Sequence, residues 1–310
     1  MPSRTPSADD LARIARLELE AREVVEGFLN GQHRSPYFGQ SLEFAQHREY
    51  VPGDDTRRLD WKVFSKTDRL YLKLYEEETN QRTLLLVDSS ESMRFAGGAT
   101  RGGRGKSSDA AGQATKFDQA CRLAAALSYL LLRQQDSVGL MTFDEQVRQQ
   151  LATRTSQRHL QAIIATLVAS EPSQKTGILD VMRTAADQKS QRGLIVLISD
   201  LFVPLDQLQQ GLAMFRQRRH EVVVLHTLDR RELDFDFSGT TRFKGLERTG
   251  ELKCDPRTLR DGYLEALQTY LEQVRRICGR TGADYQIVRT DESPAAAFAN
   301  LLSRRKNVRR

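Results

Sequence analysis

The run Asp88-Ser89-Ser90-Glu91-Ser92 sets oxygen-bearing side chains at alternate positions, Asp88, Ser90 and Ser92, in a D-x-S-x-S pattern. Alternate side chains on a tight loop can converge on one point. One carboxylate and two hydroxyls are hard oxygen donors, suited to Mg²⁺ or Mn²⁺ rather than to zinc. Such a site carries little protein charge and keeps several waters. Its weight comes from its place. It follows Leu84-Leu85-Leu86-Val87, a continuous apolar run of the kind a strand buried on both faces requires. Asp200 is placed alike, ending Val196-Leu197-Ile198-Ser199-Asp200. In an open α/β sheet, ligands bind at the carboxyl ends of the strands, where the strand order reverses. Alone, Asp200 reads as a cap for the next helix; beside Asp88 it becomes a second candidate ligand.

Other chemistries fit less well. There is no G-x-S-x-G elbow for an α/β-hydrolase. Asp88-x-Ser90 lacks the second Asp of a haloacid-dehalogenase-type phosphatase. His33, His47, His159, His220 and His226 form no metal-spaced pair, and His220 and His226 flank an apolar strand as structural residues would. Thr100 to Ser107 nearly spells a Walker A loop, but its first glycine is replaced by Thr100 and no strand leads into it. No His or Lys falls within the Asp88–Ser92 run or the run that ends at Asp200 to act as a base. The residues therefore favour binding over catalysis, with a Mg²⁺-dependent hydrolase using the same ion as Lewis acid as the alternative.

The elements that must position these residues follow from periodicity. Leu11 to Leu29 repeats apolar residues at three- and four-residue steps, an amphipathic helix stopped by Asn30-Gly31. Pro52-Gly53-Asp54-Asp55 is turn chemistry, and the Gly53 to Trp61 stretch reads as a turn whose Asp and Arg side chains pair locally. Leu70, Leu72 and Leu74 alternate as a strand does. From Arg82 onward strands and helices alternate. The predicted strands are Thr83–Val87, Ser137–Phe143, Gly193–Ser199, Glu221–Thr227 and Asp284–Arg289. The predicted helices are Phe117–Arg133, Arg158–Ala169, Ile178–Gln188, Leu205–Arg219, Asp255–Arg280 and Pro294–Arg304, with a hairpin over Thr240–Cys254 turning at Thr249-Gly250. This order predicts an α/β fold with a mostly parallel sheet covered by helices on both faces. The expected division is an N-terminal helix and β segment over 1–81, the α/β domain over 82–303 and a basic tail over 304–310. Gly97 to Ala114, with six glycines and nothing more apolar than Ala, reads as a mobile loop.

Composition bounds the function class. In 310 residues, 39% are hydrophobic and 28% charged, which is globular composition. The longest apolar runs are strand-sized, far below the roughly 18 residues of a membrane helix. Met1 to Asp10 has no apolar signal core, and Cys121, Cys254 and Cys278 are too widely spaced for a disulfide scaffold or a CxxC site. A cytoplasmic protein without a membrane span is the expectation. Lys plus Arg is 47 against 41 Asp plus Glu, a net +6. Arg304, Arg305, Lys306, Arg309 and Arg310 supply five of those positives with no acid among them, so nucleic-acid binding is not the favoured reading.

The chain resembles the von Willebrand factor A fold. Asp88, Ser90 and Ser92 look like the first segment of its metal-ion-dependent adhesion site, Thr176 in Lys175-Thr176-Gly177 matches the second, and Asp200 matches the third. Thr184, the other threonine nearby, falls inside a predicted helix. A narrower resemblance covers almost the whole chain. It rests on Gly31-x-His33-x-Ser35, Glu43-Phe44, Arg48-x-Tyr50, Pro52-Gly53-Asp54-Asp55, Arg57, Asp60-Trp61, the D-x-S-x-S-Met run, Lys116-Phe117, Asp136-Ser137-Val138-Gly139-Leu140 and Phe143-Asp144. These look like the bacterial family catalogued as domain of unknown function fifty-eight. The resemblance implies a Rossmann-type sheet and a Mg²⁺ or Mn²⁺ ion held by Asp88, Ser90, Ser92, Thr176 and Asp200. It implies an open coordination position filled by a partner's Asp or Glu. The partner class it suggests is a MoxR-type AAA+ ATPase acting in protein assembly or maturation, with Arg101, Arg104 and Lys106 able to steer an acidic surface.

Overall fold

The structure, a computed structural model, describes residues 7–31, 46–50, 61–67, 69–74, 81–97, 114–188, 192–237, 241–244, 251–254 and 256–299. The interior of the Gly97–Ala114 loop, the Gly53–Asp60 stretch, the Thr249-Gly250 turn and the 304–310 tail lie outside the described residues. The chain divides into two units, Met1–Gly31 with Gln81–Arg310, and Gln32–Asn80.

The larger unit is built on six strands: β3 (Arg82–Asp88), β4 (Ser137–Phe143), β5 (Val147–Arg154), β6 (Leu194–Ser199), β7 (Glu221–Leu228) and β10 (Asp284–Arg289). Their spatial order is β10-β7-β6-β3-β4-β5, with every neighbouring pair parallel except β4 and β5. β3, β6 and β7 each carry a continuous apolar run, Leu84–Val87, Leu194–Ile198 and Val222–Leu225, because both sheet faces are covered. β5 is the exception. Its Arg148-Gln149-Gln150 run is exposed, which makes it a polar edge that discourages pairing with another chain. That polarity also hid it from the hydrophobic pattern.

The helices are α1 (Ala8–Gly31), α3 (Lys116–Arg133), α4 (Arg158–Ala169), α5 (Ile178–Gln188), α6 (Leu205–Gln217), the short α7 (Arg230–Asp234) and α8 (Pro256–Thr281), followed by a turn of helix at 294–299. Successive strand residues point to opposite faces. Leu84 and Leu86 join Ile178, Val181, Leu208, Phe215, Val274 and Ile277, the core under α5, α6 and α8. Leu85 and Val87, also buried, therefore face the other layer, where α1, α3 and α4 pack on one another. Helix α3 starts where it does because Thr115 and Asp118 form a reciprocal capping box, Thr115 Oγ1 accepting from Asp118 N at 3.0 Å. A two-stranded hairpin of β8 (Thr241–Lys244) and β9 (Glu251–Cys254) precedes α8.

In the smaller unit, β1 (Gln46–Glu49) pairs antiparallel with β2 (Tyr71–Leu74), and Tyr50 N extends the ladder to Leu70 O at 2.9 Å. Between them lies α2 (Trp61–Thr67), where the Trp61 and Phe64 rings meet edge-on at 6.1 Å.

The strand order dictates where a site can form. From β3 the chain moves outward to β4 and β5, then returns to the other side of β3 for β6, β7 and β10. The order reverses between β3 and β6, the place in an open α/β sheet where the loops after adjacent strands part and ligands bind. Among the described residues no helix is long and apolar enough to cross a membrane.

Candidate functional site

Asp88 closes β3 and Asp200 follows β6, so the two carboxylates stand on the adjacent strands that flank the reversal. Both are buried, as are Ser90 and Ser92. The tight turn after β3 folds back on its own strand end: Ser90 N donates to Asp88 Oδ1 at 2.8 Å. The Ser90 and Ser92 hydroxyls lie 3.0 Å apart, and Ser92 also donates to the Asp200 carboxylate. Ser199 donates to Asp88 Oδ2 at 2.5 Å, tying the two strand ends together. Asp88, Ser90, Ser92 and Asp200 thus lie in one hydrogen-bonded cluster.

Thr176 sits half-buried in the loop before α5. That loop is fastened to the Asp88 turn by two backbone bonds, Ser173 N to Ser89 O and Glu91 N to Gln174 O, each 2.8 Å. Its far end is fixed by Gly177, whose N donates to Asp144 O at 2.8 Å. A Cβ at Gly177 would meet Glu145 O at 2.2 Å, so only glycine lets the loop approach the end of β4 this closely. Thr184 lies within α5, and its hydroxyl bonds back to Asp180 O.

One neighbour of the site stands in the sequence only as part of the Lys116-Phe117 match, not as a candidate site residue. Lys116, in the first turn of α3, is buried. Its Nζ donates to Asp200 Oδ2 at 2.7 Å and to Glu232 Oε1 at 2.9 Å, and it lies 5.6 Å from the Phe95 ring centroid. A cation in a helix's first turn opposes the helix dipole. That conflict was the available signal that Lys116 needed a carboxylate partner. Glu232 is itself held by α7, its other oxygen accepting from Asp229 N at 2.8 Å. His226, in β7, places Nε2 2.8 Å from Asp200 O and Nδ1 2.7 Å from the Tyr285 hydroxyl. Burial pushes its pKa down to about 4, so it is neutral and structural, as its strand position suggested.

The two carboxylates differ in charge state. Burial, and then the charge of Asp200, push the Asp88 pKa up to about 7, against hydrogen bonds from Ser199 and Ser90. Burial works the same way on Asp200, but the Lys116 ammonium outweighs it and holds that carboxyl below the ordinary range. Between its own two carboxylates Lys116 stays charged: burial opposes the charge, and Asp200 and Glu232 overcome it.

These residues fit a hard divalent cation. The donors are carboxylate and hydroxyl oxygens only, and two carboxyl groups are buried side by side, the charge of Asp200 helping to push Asp88 toward its neutral form. Among the described residues no three His, Cys, Asp or Glu side chains converge on one point, so the set is poor in charge and rich in hydroxyls.

Comparison with known proteins agrees with the sequence over most of the chain. The family profile described as protein of unknown function DUF58 matches residues 46–272, more than half of the chain. Uncharacterised proteins of Mycobacterium tuberculosis and Mycobacterium bovis are each 26% identical over 301 residues, spanning 95% of this chain and 89% of theirs. Among solved structures, the conserved hypothetical protein BatB of Bacteroides thetaiotaomicron is similar at 16% identity and a TM-score of 0.45, over 72% of this chain and 98% of that one. An aerotolerance-related membrane protein of Bacteroides fragilis gives 16% identity and a TM-score of 0.47, over 72% and 97%.

Proposed function

The chain belongs to the DUF58 family, and we propose that it is a metal-dependent protein-binding module whose adhesion site lies at the carboxyl ends of β3 and β6. One observation carries this reading: two buried carboxyl groups from adjacent strand ends, Asp88 and Asp200, lie in one hydrogen-bonded cluster with the buried hydroxyls of Ser90 and Ser92.

Asp88, Ser90, Ser92, Thr176 and Asp200 would hold Mg²⁺ or Mn²⁺, directly or through water. The ion would supply a hard, positively charged position that takes a carboxylate oxygen from another protein. The chain's own residues set how strong that attraction is. Asp88 and Asp200 bring the only acidic donors, and Lys116 already satisfies part of the Asp200 charge. A site so sparing in negative charge leaves the cation under-neutralised and receptive to an incoming Asp or Glu. Ser199 and Ser90 N fix the Asp88 carboxylate in orientation, and Lys116 fixes Asp200. The partner class that the family resemblance supports is a MoxR-type AAA+ ATPase.

Thermal unfolding with EDTA and with excess Mg²⁺ tests the site. A ligand at a hundred times its dissociation constant stabilises the native state by about 2.7 kcal/mol. The wild-type midpoint should rise in Mg²⁺, and Asp88→Ala should remove the rise. A wild type indifferent to both additives, with no heat of Mg²⁺ binding in calorimetry, would sink the proposal.

A further inference from the structure

Five large apolar side chains are exposed among the described residues: Leu11, Leu19, Trp61, Phe202 and Leu259. Four lie on helices. Phe202 alone lies on a loop, two residues past Asp200 at the carboxyl edge of the sheet, and it is 66% exposed.

The turn that carries it is tightly fixed. Leu201 N donates to Ser199 Oγ at 2.9 Å, Phe202 N to Asp200 Oδ1 at 3.2 Å and Val203 N to Leu201 O at 2.6 Å. The Tyr270 hydroxyl, reaching in from α8, donates to Leu201 O. Leu201 is fully buried at φ +52°, in the left-handed region where a residue with a Cβ is strained. Strain held in place by surrounding hydrogen bonds concentrates where a protein must present something. Here the left-handed residue buries its own side chain, and the next side chain, an aromatic ring whose backbone N is held by Asp200, is exposed to water.

We infer that Phe202 is the apolar anchor of the docking face around Asp88 and Asp200. Its partner is a protein segment carrying an acidic side chain with a large apolar side chain two residues away. This rests on the metal-dependent reading above. Consecutive Cα atoms are about 3.8 Å apart, so the Phe202 Cα lies within about 7.6 Å of the Asp200 Cα. In an extended segment, side chains at i and i+2 share one face and are separated by roughly 6.6 Å. One extended strand can therefore set its acid at the ion and its apolar neighbour on the ring, in either chain direction. The two contacts divide the work: any carboxylate satisfies the ion, whereas the ring selects among carboxylates. Desolvated aromatic anchors of this kind carry much of the energy of protein interfaces.

The test is selection from a random heptapeptide library displayed on phage, against the immobilised full chain in Mg²⁺, with elution by EDTA. Asp88→Ala, Phe202→Ala and Phe202→Leu are run in parallel. Phe202 is exposed, so its variants should melt with the wild type. The wild-type eluate should be rich in Asp and Glu, with Leu, Ile, Met, Phe or Trp enriched two positions from the acid. Phe202→Ala should cut that positional enrichment about tenfold while leaving the acid enrichment, the size expected for loss of one anchor. Phe202→Leu should keep most of it, and Asp88→Ala should lose both. Acid enrichment without the positional apolar preference, or a preference unchanged in Phe202→Ala, overturns the anchor and leaves the metal-dependent reading standing. No EDTA-released enrichment on the wild type overturns both.

Discussion

The Lys116 ammonium is buried between Asp200 and Glu232, with only 4% of its side chain exposed. A buried ion pair gains little net stability over apolar packing, because desolvation offsets the attraction. Removing one partner is costly, because it strands the other charge. Lys116 has two such partners. Lys116→Met should therefore lower the unfolding free energy by about 3–5 kcal/mol, the range for breaking a buried pair. Because Asp200 then lacks a cation, excess Mg²⁺ should restore more stability to Lys116→Met than it adds to the wild type. Urea unfolding with and without Mg²⁺ measures both effects. A variant as stable as wild type in EDTA would show that the pair does not hold Asp200 in place.

At the scale of elements, the two ends of the β3–β4 pair are tied differently. At the carboxyl end, Ser89 Oγ donates to Phe143 O at 2.9 Å beside the candidate site. At the amino end, Gln81 N donates to Asp136 Oδ1 at 2.9 Å and Ser137 N to Gln81 O at 3.1 Å. Burial pushes the Asp136 pKa up to about 6, against the bond from Gln81. The folded protein therefore keeps this proton to higher pH than the unfolded chain, whose carboxyl ionises near 3.8. Stability linked to this group is fully present below about pH 4, falls as pH rises toward 6, and is flat above. Asp136→Asn keeps an acceptor for Gln81 N and has no charge to bury. It should be more stable than wild type by about 1–2 kcal/mol at pH 7, with the gap closing toward pH 4. Denaturant titrations at pH 4, 5.5 and 7 would show this. A constant gap across that range would refute it. Because Asp136 lies at the opposite sheet edge, the Mg²⁺-dependent rise in the melting midpoint should persist in Asp136→Asn.

At the scale of the molecule, α1 belongs to the sheet-bearing unit despite the intervening Gln32–Asn80 segment. Its Ala21, Val25 and Phe28 are buried, Glu20 pairs with Arg122 of α3 at 3.0 Å, and Phe28 meets Phe298 edge-on at 6.3 Å. The first helix and the last described turn of helix thus close one side of the fold together. Phe28→Ala should cost about 3 kcal/mol or more, as truncating a buried aromatic does. The loss should appear in one cooperative transition, because α1 shares the α3 and α4 layer with the sheet. Helical and aromatic circular dichroism followed through the same melt would check it; an early helical transition that leaves the aromatic signal intact would show α1 to be an independent appendage.

Much of this was legible in the sequence, for a physical reason. A strand buried on both faces must be apolar throughout, so Leu84 to Val87 and Leu194 to Ile198 identified themselves, and the Asp that ended each run was at once placed at a carboxyl edge. Amphipathic helices declared themselves by period. Elements lacking an apolar pattern did not: the polar edge strand β5, the seven-residue α2 and the five-residue α7 were found only in three dimensions. Tertiary structure alone also decided which long-range partners meet. Lys116 and Asp200 are 84 residues apart, and Tyr270 reaches Leu201 across 69. Periodicity fixes which face a residue occupies. It carries no information about which charge will be opposite when two faces close, and that depends on the strand order β10-β7-β6-β3-β4-β5, which brings β3 and β6 side by side, and on the packing of α3, which sets Lys116 against Asp200.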